Sequence, residues 1–194
     1  MEDEIVEILK YGRELGYPLI LDDSAKFFIE TIKSEQPKKI LEIGTAIGYS
    51  GSLILTNCGG KLVTVEKNEQ SAKIATENFA RQGLADRVKV INCDAKEFID
   101  NCNDKFDFIF LDGPKAQYLH YKEKLIDCLN IGGLLFADNV LFRGLVCKAG
   151  EPERRYRTIV NNLRQFLKEI ENDERLETKI YNIGDGVSVS RKIK

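Results

Sequence analysis

The chain has 194 residues, 43% hydrophobic and 31% charged, which are ordinary values for one globular domain with a substantial core. A net charge of −2 gives no global attraction to nucleic acid, so any such binding has to be local. No apolar run approaches the roughly 18 residues that span a bilayer, and the acidic, amphipathic start MEDEIVEILK is unlike a signal or transit peptide. A cytoplasmic protein with no membrane partner is expected.

Residues 2–15 place Ile5, Ile8, Leu9, Tyr11 and Leu15 along one helical face, and Gly16-Tyr17-Pro18 ends that helix. Asp22 or Asp23 is positioned to cap a second helix carrying Phe27, Phe28 and Ile32, which runs until Pro37. These two helices form a cap, residues 1–36, over a unit that begins with Ile40, Leu41 and Ile43. That apolar run, with Glu42 inside it, predicts a buried parallel strand. Gly44 and Gly48 bracket the turn that follows, and Ser50-Gly51-Ser52-Leu53 resumes with helical spacing. A strand, a glycine turn and a helix start make a cradle in which backbone N–H groups approach an anionic ligand.

Lys61 to Glu66 predicts a second strand that closes on an acid. Glu66 lies about twenty residues past the glycine turn, where a nucleoside-binding fold places its ribose carboxylate. Asn68 opens a helix that ends by Gly83. Val88 to Cys93 predicts a third strand, with Cys93 in the core and Asp94 at its end, before a short helix with Phe98 and Ile99. Phe106 to Asp112 is a fourth strand, followed by Gly113-Pro114-Lys115 and a helix through Tyr118, Tyr121, Leu125 and Leu129. Gly132 to Asp138 is a fifth strand, and Ile159 to Ile170 is a further helix. Thr178 onward, with a Gly184-Asp185-Gly186 turn, predicts a hairpin that adds an antiparallel edge strand. The alternation implies one α/β domain with a doubly wound, mostly parallel sheet over residues 37–194.

Five cysteines with no C-x-x-C pair argue against a disulfide framework or a structural zinc. The one histidine, His120, reads as a surface helix residue, so a serine or cysteine nucleophile system has little to rest on. A metal must then be held chiefly by oxygen, which favours magnesium, manganese or calcium. Strand ends in such a sheet converge on the ligand. Here they carry Gly44, Glu66, Asp94, Asp112 and Asp138-Asn139. A single acid after a strand is ordinarily a helix cap, but carboxylates at four consecutive ends are harder to explain that way. Asp112, Asp138 and Asn139 offer three oxygens from adjacent loops. Lys115, three residues past Asp112, reaches the same region unless it is simply a solvated lysine at a helix start.

EIGTAIGYS, Glu66, CDA at 93–95, FLDGPK up to Lys115 and ADN at 137–139 together resemble the cation-dependent, S-adenosylmethionine-dependent O-methyltransferases. That family includes catechol, caffeoyl-CoA and bacterial tRNA 5-hydroxyuridine enzymes. The resemblance implies the Rossmann-like, seven-stranded methyltransferase sheet with its last strand antiparallel. It implies S-adenosylmethionine contacts from Ile20, Gly44, Ser50, Glu66, Asp94, Ala95 and Asp112. It also implies a magnesium or manganese ion on Asp112, Asp138 and Asn139, with Asp112 and Lys115 as catalytic residues and methyl transfer to a metal-chelated hydroxyl. Family members are often homodimers, so a homodimer is expected.

Both a catechol and 5-hydroxyuridine present two neighbouring oxygens, so the site itself does not choose between them. The basic stretch Arg143, Lys148, Arg154, Arg155 and Arg157 favours phosphate contacts. The wording of the motifs looks most like the tRNA branch. The expected acceptor is therefore 5-hydroxyuridine at the tRNA wobble position, with a small catechol-like or caffeoyl-CoA-like phenol as the alternative. A nicotinamide dehydrogenase lacks support because the pattern is G-x-x-x-G rather than G-x-G-x-x-G, and a non-catalytic nucleoside-binding module would not need Lys115 or the acid set.

Overall fold

A computed structural model describes residues 2–194 and shows a single seven-stranded sheet in the order β3-β2-β1-β4-β5-β7-β6. Strands β1 (Lys39–Ile43), β2 (Lys61–Glu66), β3 (Val88–Asn92), β4 (Phe106–Leu111) and β5 (Leu129–Asp138) pair in parallel. β7 (Val187–Lys192) runs antiparallel between β5 and β6 (Leu176–Tyr181). The last strand is antiparallel, as expected, but it lies inside the sheet, and β6, antiparallel to it, takes the edge. Val187 and Val189 alternate with Ser188 and Ser190 between the two faces, and Val187, Ser188 and Ser190 are all buried, as suits a strand paired on both edges.

Alternation along the strands divides the core. Ile40, Phe108, Phe110, Leu134 and Phe136 face α1 (Glu2–Glu14), α2 (Asp22–Glu35), α3 (Tyr49–Asn57) and α4 (Glu69–Arg81). Leu41, Ile43, Ile109, Leu111 and Leu135 face α5 (Ala95–Asn101), α6 (Tyr118–Cys128) and α7 (Arg157–Asn172). The first layer is anchored by Phe28 of α2, whose ring lies 4.4 Å from that of Phe110 and 5.0 Å from that of Phe136. Truncating it to alanine would cost about 3–5 kcal/mol. The N-terminal helices are thus part of the main core rather than a detachable lid.

Two local expectations change. Neither Asp22 nor Asp23 caps α2; Leu21 is the N-cap and makes no side-chain bond. Both acids fall in the first turn, where a negative charge favours the helix dipole, and Asp22 pairs instead with Arg13 across the loop from α1. Cys93 is half-buried beside the second core layer rather than wholly inside it. Asn68 does cap α4, accepting from the Ser71 amide at 2.8 Å, and His120 is exposed on α6. Among the described residues no helix is long and apolar enough to cross a membrane.

Candidate active site

The loop from β1 to α3 makes the floor of a cavity of about 350 Å³ at the C-terminal strand ends. Gly44 has φ of +100°, and a Cβ there would meet the Asp112 carbonyl at 2.5 Å, so only glycine lets this loop lie against the end of β4. Ala46 also holds a positive φ of 46°, and its amide donates to Glu66 Oε2 at 2.9 Å. The other Glu66 oxygen accepts from the Asn68 amide at 2.8 Å. Glu66 therefore joins the glycine loop to the start of α4 and still borders the cavity.

Under this loop is a polar network that the motif pattern does not reveal. Glu42 is completely buried; Ser50 donates to its Oε1, and Thr64 donates to its Oε2 at 2.6 Å. Thr45 in turn contacts Thr64. Burial pushes the Glu42 carboxyl up to about 7 in spite of both hydroxyl donors. Ser50, expected to touch a cofactor directly, borders the cavity and also spends its hydroxyl proton on Glu42.

Ile20, Gly44, Ser50, Glu66, Asp94, Ala95, Asp112 and Lys115 all border this one cavity. Asp94 caps α5 by accepting from the Lys96 amide and pairs with Lys67 at 2.9 Å, which holds its carboxyl below the usual range. Tyr49 and Tyr121 also border the cavity. From sequence Tyr121 is simply a helix residue and Tyr49 only part of the EIGTAIGYS run, since an aromatic at helical spacing gives no sign of whether its edge meets core or ligand.

Lys115 Nζ lies 2.6 Å from Asp112 Oδ1, both side chains being largely shielded from solvent. Burial raises the Asp112 carboxyl, opposed by Lys115. Asp138 ends β5, Asn139 follows it, and neither lines the cavity; Asp138 stands one step past the last β4–β5 rung, as Asp112 does on its own strand. Asp138 is fully buried, with Oδ1 accepting from the Asn139 amide at 2.8 Å and Oδ2 lacking any hydrogen-bond partner. Burial first, and the nearby Asp112 charge second, push it up to about 7. The Ser24 hydroxyl, itself buried without a partner, is near enough only to oppose this weakly. Asn139 holds φ of 57°, a left-handed conformation that asparagine tolerates better than most residues. Among the described residues no three His, Cys, Asp or Glu side chains converge as a metal set, so any ion here would depend on the Asn139 amide oxygen as well.

The turn between β6 and β7 braces this loop. The amides of Val140 and Leu141 donate to the carbonyls of Gly186 and Asp185, at 2.9 and 3.0 Å, and the Arg143 amide donates to the Asp185 carboxylate. Arg143, Lys148, Arg154, Arg155 and Arg157 are all exposed or half-exposed on the following segment. Arg155 pairs with Glu153 at 3.0 Å and lies 4.4 Å over the Tyr156 ring, and Arg157 pairs with Glu151 at 3.5 Å. Arg164 of α7 organises this segment by donating to the carbonyls of Val146 and Gly150 at 3.1 Å. Its place inside a helix, away from the basic run, gives no hint of that role in the sequence.

Residues 8–193 match the O-methyltransferase family. The chain belongs to that family. A caffeoyl-CoA O-methyltransferase from Populus kitakamiensis is 32% identical over 95% of this chain and 82% of its own length. A candidate caffeoyl-CoA O-methyltransferase from Staphylococcus aureus, 30% identical, superposes with a TM-score of 0.89 over 97% of this chain and 91% of that one. An O-methyltransferase from Bacillus cereus in complex with SAH is 26% identical, with a TM-score of 0.85 over 98% of this chain and 90% of that one. The family assignment makes this O-methyltransferase an enzyme, and the strand-end cavity is its candidate active site.

Proposed function

We propose that this O-methyltransferase uses S-adenosylmethionine and a divalent cation, magnesium or manganese, to methylate one hydroxyl of a vicinal oxygen pair on a small phenol. The observation that carries the cation is Asp138 Oδ2, a buried carboxylate oxygen with no donor, near the largely shielded Asp112 carboxyl. Such an oxygen costs free energy unless a ligand completes it, and a hard cation suits carboxylate and amide oxygens. Asp112, Asp138 and Asn139 would hold it. The cavity against Gly44 fits an elongated cofactor, with Glu66 toward ribose hydroxyls and Asp94-Ala95 at the base. When bound, the cofactor supplies an activated methyl group and the cation supplies positive charge.

The protein's own residues do the rest. Lys115, held on Asp112, places its side-chain nitrogen at the cavity wall, where as an ammonium it steadies developing negative charge on an acceptor oxygen or, as a neutral amine, takes that oxygen's proton. Leu19 and Ile20 close the cavity with apolar surface and keep water from the reacting centre. Relatives named for caffeoyl-CoA, whose aromatic ring is a catechol, support the phenolic acceptor. A second reading, 5-hydroxyuridine of tRNA, is favoured by the basic run of Arg143, Lys148, Arg154, Arg155 and Arg157. Because Arg155 and Arg157 already pair with glutamates, fewer free charges are left for phosphates. A homodimer is part of the same proposal and is checked by sedimentation.

The test offers metal-stripped protein S-adenosylmethionine with either a catechol or 5-hydroxyuridine-containing tRNA, with and without magnesium. Mass spectrometry should find magnesium-dependent methylation of the catechol. Replacing Arg154 and Arg155 together should leave that reaction unchanged. Methylation of tRNA alone, steeply salt-dependent and weakened by the double change, would reverse the order of the two readings. Full activity in EDTA would remove the cation.

A further inference from the structure

Tyr118 opens α6, three residues past Lys115, and its side chain is completely buried. Its ring meets Phe166 of α7 edge-on, with 5.7 Å between centroids, and this packing fixes where the hydroxyl ends. Tyr118 Oη lies 2.9 Å from the main-chain carbonyl of Leu111 and 3.2 Å from that of Asp138. One proton is thus shared between carbonyls at the ends of two different strands.

The parallel ladder between β4 and β5 runs from Phe108 opposite Leu134 to Leu111 opposite Ala137. Asp112 and Asp138 stand one step beyond its last rung, where this ladder no longer sets their spacing. The Tyr118 hydroxyl supplies a side-chain rung at the step where the backbone ladder stops. We propose that Tyr118 is a positioning residue, holding the ends of β4 and β5 at the separation that lets Asp112, Asp138 and Asn139 share one divalent cation.

This inference rests on the cation reading above, and it goes beyond it by assigning the spacing of the ligands to a residue that touches none of their side-chain oxygens. A merely structural role for Tyr118 would make a different prediction: loosening the α6 packing would weaken every ligand together.

The experiment titrates Mn2+ into metal-stripped wild type and Tyr118→Phe, followed by electron paramagnetic resonance, and measures SAH affinity by calorimetry in EDTA. The substitution keeps the ring on Phe166 and removes only the hydroxyl. Mn2+ affinity should fall by about tenfold or more, as for other residues that orient metal ligands from behind, while SAH affinity stays within about twofold. Unchanged Mn2+ affinity in the variant, with normal binding by the wild type, overturns the inference and leaves the cation reading standing. Equal losses of Mn2+ and SAH affinity also overturn it, in favour of a structural role. Absence of Mn2+ binding by the wild type overturns both. If Tyr118→Phe does not fold, Phe166→Leu, which frees the tyrosine ring to move, decides by the same split.

Discussion

Glu42 and Asp138 are both completely buried carboxyls at the ligand end of the sheet, and burial pushes each up to about 7. They differ in how far their oxygens are satisfied. Glu42 receives a hydroxyl on each oxygen, from Ser50 and Thr64, and is closed. Asp138 receives one amide from Asn139 and leaves Oδ2 without a donor. A buried acceptor left unmet costs about 1–3 kcal/mol, which a fold tolerates where a ligand later completes it. The closed acid holds the glycine loop and the first turn of α3 in place. The open acid is the one that the proposed cation would complete.

The difference is broken most severely at the open acid. Asp138→Ala should lower kcat by about 10²–10³-fold or more, while SAH affinity in calorimetry stays close to that of the wild type. A variant equally impaired in SAH binding would mean that Asp138 supports the cavity rather than the reaction. Lys115→Ala should lower kcat about 10²-fold if the amine moves a proton or steadies charge in the transition state; a change confined to KM would make it a positioning group. Glu66→Ala should weaken S-adenosylmethionine binding at least about tenfold, because the carboxylate accepts charge-assisted bonds worth about 1.5–3 kcal/mol each. Since Glu66 also bonds the Ala46 and Asn68 amides, its removal should loosen the glycine loop. Unchanged affinity in a folded Glu66→Ala protein sinks the ribose assignment.

Much of this arrangement was legible in the chain because it is carried by local pattern. Apolar runs ending in acids located the strand ends, and glycine spacing located the loop between Gly44 and Gly48. The residues expected to contact the cofactor, with Lys115, border the one cavity. What sequence could not give depends on contacts between distant segments. The reversal of β6 and β7 is decided by pairing partners, not by strand propensity, and a hairpin reads the same at an edge as in the interior. Glu42 was legible only as one acid inside an apolar strand, because its partners lie 8 and 22 residues away, at Ser50 and Thr64. Asp138 and Asn139 were candidate oxygen donors from their place at a strand end, but only the folded chain shows one Asp138 oxygen open and neither residue lining the cavity. The basic run was legible as charge, whereas its pairing with Glu151 and Glu153 depends on how the loop turns.

The smallest effect tests the closed acid by pH. Glu42 titrates near 7 in the folded protein and near 4.5 as a free carboxyl. From about pH 4.5 to 7 the native state therefore keeps a proton that the unfolded chain has released. The stability from this group is fully present below about 4.5, declines as pH rises toward 7 and is flat above it. The slope is at most about 1.4 kcal/mol per pH unit. Carboxyls held low, such as Asp173 at about 2 beside Arg175, titrate in the opposite sense at lower pH and are common to wild type and variant, so they cancel in the difference. Glu42→Gln keeps the shape and removes the proton. Urea unfolding in EDTA at about pH 5, 6, 7 and 8 should show the wild type losing stability relative to Glu42→Gln up to about pH 7 and no further. A difference constant across that range would mean that Glu42 stays ionised in the fold. Adding magnesium should leave this dependence intact, because both Glu42 oxygens are already occupied; a magnesium-dependent change in it would show that the closed acid is open after all.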